Sequence, residues 1–342
     1  MDLRFCDVDQ WLDLADEQYP CDIPPYIVRD KAGFEVTIKP FVSSSRDLTV
    51  VGGDWLPVRA DGVTLLDQMV HTPGIYLGKA KNIACSENAC SLKIETPREV
   101  PQDALLVGGN GNYYHWLVDF LPRLLLARKY ADVGARLLIV SSRLLPCEIE
   151  SLLMLGYDES RLLRLGDNEA VRPRTTMVPS LLASTTVPHP ALPGLVQQAF
   201  PRKRNIATGR IYLSRQEAST RKLTNEPEMI ELLERYGFQR YVPGAMSFQE
   251  QIDLCSGAEA LVGLHGAGMA NLVFCPATTR VFEIFTPHHQ VTSMFMLSRI
   301  CKRPHVFVPA QNVTFGKDGA ALLGSWQVDL GALDKALGAA FG

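Results

Sequence analysis

From residue 104 onward the chain alternates short apolar runs with longer stretches whose apolar positions recur every three or four residues. Ala104-Leu105-Leu106-Val107 is a run too short for a helix and predicts a strand. The pattern then predicts a helix over 113–130, a strand over 136–140, a helix over 147–155 and a strand over 162–165. Beyond residue 208 the alternation restarts more clearly. Strands are predicted over 211–213, 238–242, 260–262, 281–285 and 304–308. The helices between and after them fall over 226–236, 247–256, 269–274, 291–301 and 330–340. Gly237 supplies the left-handed stop of one helix. Ser247, with Glu250 three residues on, is a capping box that opens another. Strand and helix in alternation predict a parallel sheet with helices on its faces, an α/β fold.

The flanking text is less regular. Short candidate strands over 34–40, 48–51, 74–77 and 91–94 are separated by Pro and Gly and predict a β-rich N-terminal elaboration. Between about residues 182 and 208, Pro188, Pro190, Pro193 and Pro201 cluster ahead of Arg202-Lys203-Arg204, which reads as a connector. The predicted organisation is an N-terminal domain over 1–190, β-rich to residue 100 and α/β over 101–190. A linker over 191–208 and a C-terminal domain over 209–342 complete it. Two doubly wound halves would hold a ligand in a cleft at the carboxyl ends of their strands.

Composition narrows the classes. A chain of 342 residues is long for one core, and 46% hydrophobic with 21% charged residues is the balance of a globular enzyme. A net charge of −3 argues against a general nucleic-acid binder, although a pocket for one diphosphate needs only two or three cations. No run approaches the ~20 apolar residues of a membrane span, and the first residues show no signal-peptide pattern. The eight cysteines are scattered without a Cys-x-x-Cys pair. Cys85 and Cys90, the closest two, have no second pair to complete a zinc site. Reduced thiols in a cytoplasmic protein are the expectation.

Four segments could carry chemistry. In Ala260-Leu261-Val262-Gly263-Leu264-His265-Gly266-Ala267-Gly268-Met269-Ala270-Asn271 an apolar strand runs into three glycines and a helix start, where backbone can approach an anion. A tight turn with a buried histidine reads equally well. Arg215 and Arg221 leave the strand Arg210-Ile211-Tyr212-Leu213-Ser214, where guanidinium groups could meet phosphate or merely face solvent; Asn225 has a role as a helix cap. His115 and Asp119 stand at i and i+4 in a helix, a pair suited to general-base work or to a satisfied core. Glu283, in Val281-Phe282-Glu283-Ile284-Phe285, could accept hydrogen bonds from ribose hydroxyls or simply face outward.

Together these segments resemble glycosyltransferase family 61. The resemblance rests on Asn112-Tyr113-Tyr114-His115-Trp116 with Asp119 and Leu121-Pro122-Arg123-Leu124; on Tyr212, Ser214-Arg215, Arg221 and Asn225-Glu226; on Ser247-Phe248-Gln249-Glu250-Gln251; and on His265-Gly266-Ala267-Gly268-Met269-Ala270-Asn271 with Phe274 and Glu283. It implies a GT-B type fold of two Rossmann-like domains facing across a cleft. It also implies an inverting transfer from a nucleotide sugar, UDP by analogy, without metal or other cofactor. On this resemblance Arg215, Arg221, His265, Gly266, Ala267, Gly268 and Asn271 bind the donor diphosphate and Glu283 the ribose. His115 and Asp119 share the base role, either being the base, and Asn112, Tyr113, Tyr114, Trp116 and Arg123 lie on the acceptor side. A glycan or lipid-linked saccharide in polysaccharide or capsule biosynthesis is the implied acceptor. The implied location is the cytoplasm, with peripheral association at the inner membrane. A sugar-nucleotide epimerase, a pyruvyltransferase, or a non-catalytic sugar-nucleotide or glycan binder are the competing readings.

Overall fold

The computed structural model describes residues 1–29, 35–65, 82–86, 89–94, 96–184, 187–203, 209–218, 220–288, 291–315 and 324–342. The strand expected over 74–77 lies outside the described residues, as does part of the one over 34–40. The chain forms two compact units, Met1–Ala199 and Phe200–Gly342, both mixed α/β.

In the first unit the central sheet has six strands: β1 Glu17–Tyr19, β2 Val42–Arg46, β3 Ala104–Gly108, β4 Leu137–Ser141, β5 Leu162–Leu165 and β6 Thr175–Pro179. Their order is β5-β4-β3-β6-β2-β1. β3 pairs in parallel with both β4 and β6, while β2 runs antiparallel to β6 and β1. All of β3 is buried, as expected of an apolar run covered on both faces. The chain moves outward from β3 to β5 and then returns to β6 on the other side of β3, so the strand order reverses there.

The first hundred residues are not a separate elaboration. Val42-Ser43-Ser44-Ser45-Arg46 is an interior strand of this central sheet, and the buried hydroxyls of Ser43 and Ser45 accept hydrogen bonds there. Trp11 Nε1 donates to Ser43 Oγ at 3.2 Å and the Asp16 amide to Ser45 Oγ at 3.3 Å. A second, eight-stranded sheet interleaves early strands such as Thr49–Val51 with the later Ala170–Pro173. At its edge Ile83–Cys85 and Cys90–Leu92 form an antiparallel pair that sets Cys85 opposite Cys90, and the two form a disulfide. This corrects the expectation of reduced thiols throughout: the hairpin register puts the two side chains face to face. Cys21, Cys147, Cys255, Cys275 and Cys301 carry free thiols.

The stretch expected as a structureless connector also holds structure. Ala183–Ser184 pairs with Val187–Pro188, and α3, Leu192–Ala199, buries Leu192, Leu195 and Val196 at i, i+3 and i+4. Pro193 falls in its first turn, where a missing N–H costs nothing. Two further helices of this unit are α1, over 113–130, and α2, Pro146–Met154.

The second unit is one six-stranded sheet ordered β8-β7-β9-β10-β11-β12, from β7 Gly209–Leu213, β8 Phe238–Tyr241, β9 Ala258–Leu264, β10 Arg280–Phe285, β11 His305–Asn312 and β12 Trp326–Val328. Every pairing is parallel except that of β12. Alternate residues such as Tyr212, Val262, Phe282 and Val308 face a core shared with α4, Glu226–Arg235, and α7, Leu330–Phe341. Two more helices, α5 Phe248–Cys255 and α6 Ser293–Ile300, pack on a 3-10 helix, Ala267–Phe274. The α5 capping box forms as expected, with the Ser247 amide donating to Glu250 at 2.8 Å and the Glu250 amide to Ser247 Oγ at 3.2 Å. Asn225 departs from its expected capping role: its side chain exchanges hydrogen bonds with Val328 at 3.0 Å, tying α4 to β12. In this sheet the strand order reverses between β7 and β9, the crevice where doubly wound sheets bind ligands.

Candidate functional site

Ser214-Arg215 and His265-Gly266 leave the carboxyl ends of β7 and β9 at this reversal. A cavity of about 130 Å³ opens there, lined by Tyr212, Arg215, Arg221, Lys222, Leu223 and Glu226 among others. A Cβ on Gly266 would lie 2.3 Å from Arg215 Nη1 and 3.3 Å from Arg221 Nη1, so only glycine lets both guanidinium groups lie on this backbone. Arg221 Nη1 donates to the His265 carbonyl at 2.6 Å. The backbone of Arg221 is left-handed, φ 57°, and its amide is held by the Gly324 carbonyl at 3.0 Å. A non-glycine residue holds that conformation only where its surroundings impose it.

The electrostatics here are one-sided. Burial lowers Arg215, slightly opposed by Tyr212; burial and the adjacent Arg215 charge pull Arg221 down to about 10. Neither forms an ion pair among the described residues, and the Nε of each is buried without a partner. The nearby Glu226 is engaged elsewhere, accepting from the Tyr212 hydroxyl at 2.7 Å and the Ser214 hydroxyl at 2.6 Å. Two desolvated like charges are costly alone and favourable once an anion joins them.

His265 stands beside this pair but is itself 4% exposed. Its Nδ1 meets Glu283 Oε1, while Glu283 Oε2 is 2.9 Å from His305 Nε2, and His305 Nδ1 is 2.9 Å from Ser298 Oγ. Burial pushes Glu283 up, but the hydrogen bonds from His265 and His305 outweigh it and hold the carboxyl below its usual value. The carboxylate expected to meet ribose hydroxyls is thus already occupied by two imidazoles and is 1% exposed. Asn271 is 1% exposed too, and donates to Gln251 Oε1 at 2.7 Å, joining the 3-10 helix to α5. Ala267 and Gly268 are half-buried at the start of that helix.

In the first unit the loop after β3 leads into α1 at the reversal of that sheet. Gly108 has φ 98°, and a Cβ there would meet Phe120 Cδ1 at 2.7 Å, which keeps the strand exit tight against the helix. Asn112 caps α1, accepting from the Tyr114 amide at 3.0 Å. The helix is not uniform: Trp116–Phe120 is a π turn between α segments, an irregularity that often marks functional sites. His115 Nδ1 and Asp119 Oδ2 are 2.7 Å apart; the His115 side chain is 21% exposed and that of Asp119 6%. Four residues on, Arg123 is fully buried and donates to the Val107 carbonyl at 3.2 Å. Burial lowers Arg123 to about 9 against the pull of Asp119.

The residues expected on the acceptor side are mostly interior. Trp116 is fully buried and donates to Ser151 Oγ at 2.9 Å; Tyr113 and Tyr114 are buried as well. With Arg123, they hold the helix that presents His115. His305 and Ser298 are absent from the sequence-based site. Their relation to Glu283 arises from the β10–β11 register, Val281 opposite His305, and from α6 packing on β11.

Residues 113–282 match the Glycosyltransferase 61 family. A stretch of 77 residues is 34% identical to the EGF domain-specific O-linked N-acetylglucosamine transferase of Drosophila melanogaster. That stretch is 22% of this chain and spans 15% of the length of that relative.

Proposed function

This chain belongs to the glycosyltransferase 61 family, and from that premise we propose that it moves a sugar from a nucleotide-diphosphate sugar to an acceptor hydroxyl. The donor is of UDP type, and the acceptor is a glycan or lipid-linked saccharide of polysaccharide biosynthesis. The observation that carries this reading is the pair Arg215 and Arg221, desolvated over Gly266 without a carboxylate partner at the β7–β9 reversal. A diphosphate supplies the missing negative charge, and guanidinium forks match its oxygens.

The chemistry follows as one displacement. His115, its Nδ1 fixed by Asp119, takes the acceptor proton at Nε2. The acceptor oxygen bonds to the anomeric carbon while the carbon–oxygen bond to the diphosphate breaks, and that electron pair leaves on the diphosphate. Arg215 and Arg221 neutralise the charge as it develops, with His265 as a further donor, in place of a metal ion. A single displacement inverts the anomeric configuration. Asp119, buried and committed to His115, serves as orienting group, and Glu283 holds His265 rather than ribose. The same reading gives a GT-B type organisation, with the donor on residues 200–342 and the base on residues 1–199.

We assign the reaction to the cytoplasmic side of the inner membrane as a peripheral activity. Among the described residues no helix is long and apolar enough to cross a membrane. The cytoplasmic assignment predicts that Cys85 and Cys90, disulfide-bonded in the structure, are reduced in the cell; a disulfide found by non-reducing mass spectrometry of the chain isolated from its own cell would move the reaction to an oxidising compartment.

The test is a thermal-shift screen with UDP, GDP, CMP and TDP. The cognate nucleotide at 100 Kd stabilises the protein by about 2.7 kcal/mol. A flat response to all four contradicts the proposal.

A further inference from the structure

The mechanism uses His265 and its partner Glu283 but not His305 and Ser298, whose side chains are buried behind them. Ser298, His305, Glu283 and His265 form an unbroken line through the interior of the second unit, drawn from α6, β11, β10 and the end of β9. The line ends at the backbone of His265, whose carbonyl accepts from Arg221 and whose neighbour Gly266 lies under Arg215. The side chains of His265, Glu283 and His305 are 5%, 1% and 2% exposed, so solvent does not set their hydrogen bonds.

Proton counting fixes the direction of those bonds. An ionised carboxylate only accepts, so each imidazole nitrogen that meets Glu283 carries a proton: Nδ1 of His265 and Nε2 of His305. His305 Nδ1 then meets a hydroxyl that can donate to it or accept from it. The seryl group therefore satisfies His305 in either protonation state, whereas a carboxylate has no such freedom. The ring of Phe295, edge-on to His305 at 5.5 Å, and that of Phe307 at 4.9 Å wall the imidazole with apolar surface.

We propose that His305, seated on Ser298, is a positioning residue that acts through Glu283. By donating to one carboxylate oxygen it aims the other at His265 and locks His265 in the Nδ1–H form. Any proton that His265 gains or yields is then the one on Nε2. Without His305 the carboxylate loses one of its two donors and is free to rotate, and His265 loses its single tautomer. Glu283 from β10 meets the His265 ring, Phe285 lies edge-on to it at 5.7 Å, Arg221 donates to its carbonyl and Arg215 lies over Gly266. The proposal rests on the reading of His265 as a donor to the diphosphate, which the Nδ1–H ring becomes only by taking a second proton at Nε2, but it concerns the unliganded protein and is tested there.

The experiment is a two-bond proton–nitrogen correlation spectrum of the full chain labelled at the histidine ring nitrogens, without nucleotide. In the wild type His265 should show the Nδ1–H pattern alone. His305→Phe should shift it to a mixture of tautomers, whereas His305→Gln, whose amide can still donate to Glu283, should restore the single form. UDP titration of the same samples reads the donor-site proposal separately. A wild-type His265 in the Nε2–H form, or one Nδ1–H form preserved in folded His305→Phe, overturns the positioning role whatever UDP does. A correct tautomer pattern with no UDP binding by the wild type overturns the donor reading and leaves the positioning role standing.

Discussion

Each unit has a mixed sheet with parallel central strands whose order reverses at one point, and the two points carry opposite chemistry. After β3 the first unit presents one partly exposed imidazole backed by a carboxylate, on a helix loosened by a π turn. After β7 and β9 the second presents two desolvated guanidinium groups backed by backbone and by a buried His–Glu–His line. The first arrangement can move a proton; the second can hold a dianion. A similar scaffold supports both because the strand ends supply only position, and the side chains that follow supply the charge.

The buried carboxyls sharpen the contrast. Glu283 has two imidazole donors and is held below its usual value. Glu148, fully buried in α2, accepts only from the Leu145 amide at 2.9 Å, its Oε1 having no partner. Burial therefore pushes it up to about 7, against that one hydrogen bond. Burial acts on both residues; the number of donors decides the outcome.

The comparison can be broken in three places, taken from the largest effect down. His115→Ala should lower turnover by about 10²–10⁴-fold while UDP affinity stays at its wild-type value; steady-state kinetics with calorimetry separate the two. A parallel loss of affinity would mean that His115 belongs to the donor site. Gly266→Ala should drive the Arg215 guanidinium off the backbone and weaken UDP roughly 100-fold, the size of a lost charge-assisted contact. Unchanged affinity in that variant would remove the crowding argument.

The third prediction concerns stability. The unfolded chain releases the Glu148 proton near pH 4.5 and the folded chain near 7. Between those values the folded state binds more protons, so stability is full below about 4.5 and is lost as pH rises through about 7. Glu148→Gln should remove this slope and leave the protein more stable than the wild type at pH 8 by on the order of 2 kcal/mol. Urea unfolding at pH 5 and pH 8 measures it, and equal slopes in both proteins would show that water already solvates Glu148.

Much of the second unit is legible in the sequence because parallel strands covered on both faces read as continuous apolar runs, as in Ala260-Leu261-Val262. The first unit is harder. Val42-Ser43-Ser44-Ser45-Arg46 carries little apolar signal, yet it lies inside the central sheet, where neighbouring donors meet the Ser43 and Ser45 hydroxyls. Local spacing brings His115 and Asp119 together, and a helix start after a strand marks Gly266. The desolvation of Arg215 and Arg221 is not local: it depends on a left-handed residue at 221 pinned by Gly324, about a hundred positions away. The same holds for Glu283, whose partner His305 comes from strand register, and for Tyr113, Tyr114 and Trp116, which face inward.

The account turns on where the donor charge is held. Calorimetric titration of UDP into wild type, His115→Ala and the double variant Arg215→Ala/Arg221→Ala tests this directly. The prediction is equal affinity for the first two and a loss of at least about 100-fold for the third. Equal affinity in all three, or a wild type that binds no UDP, would contradict it.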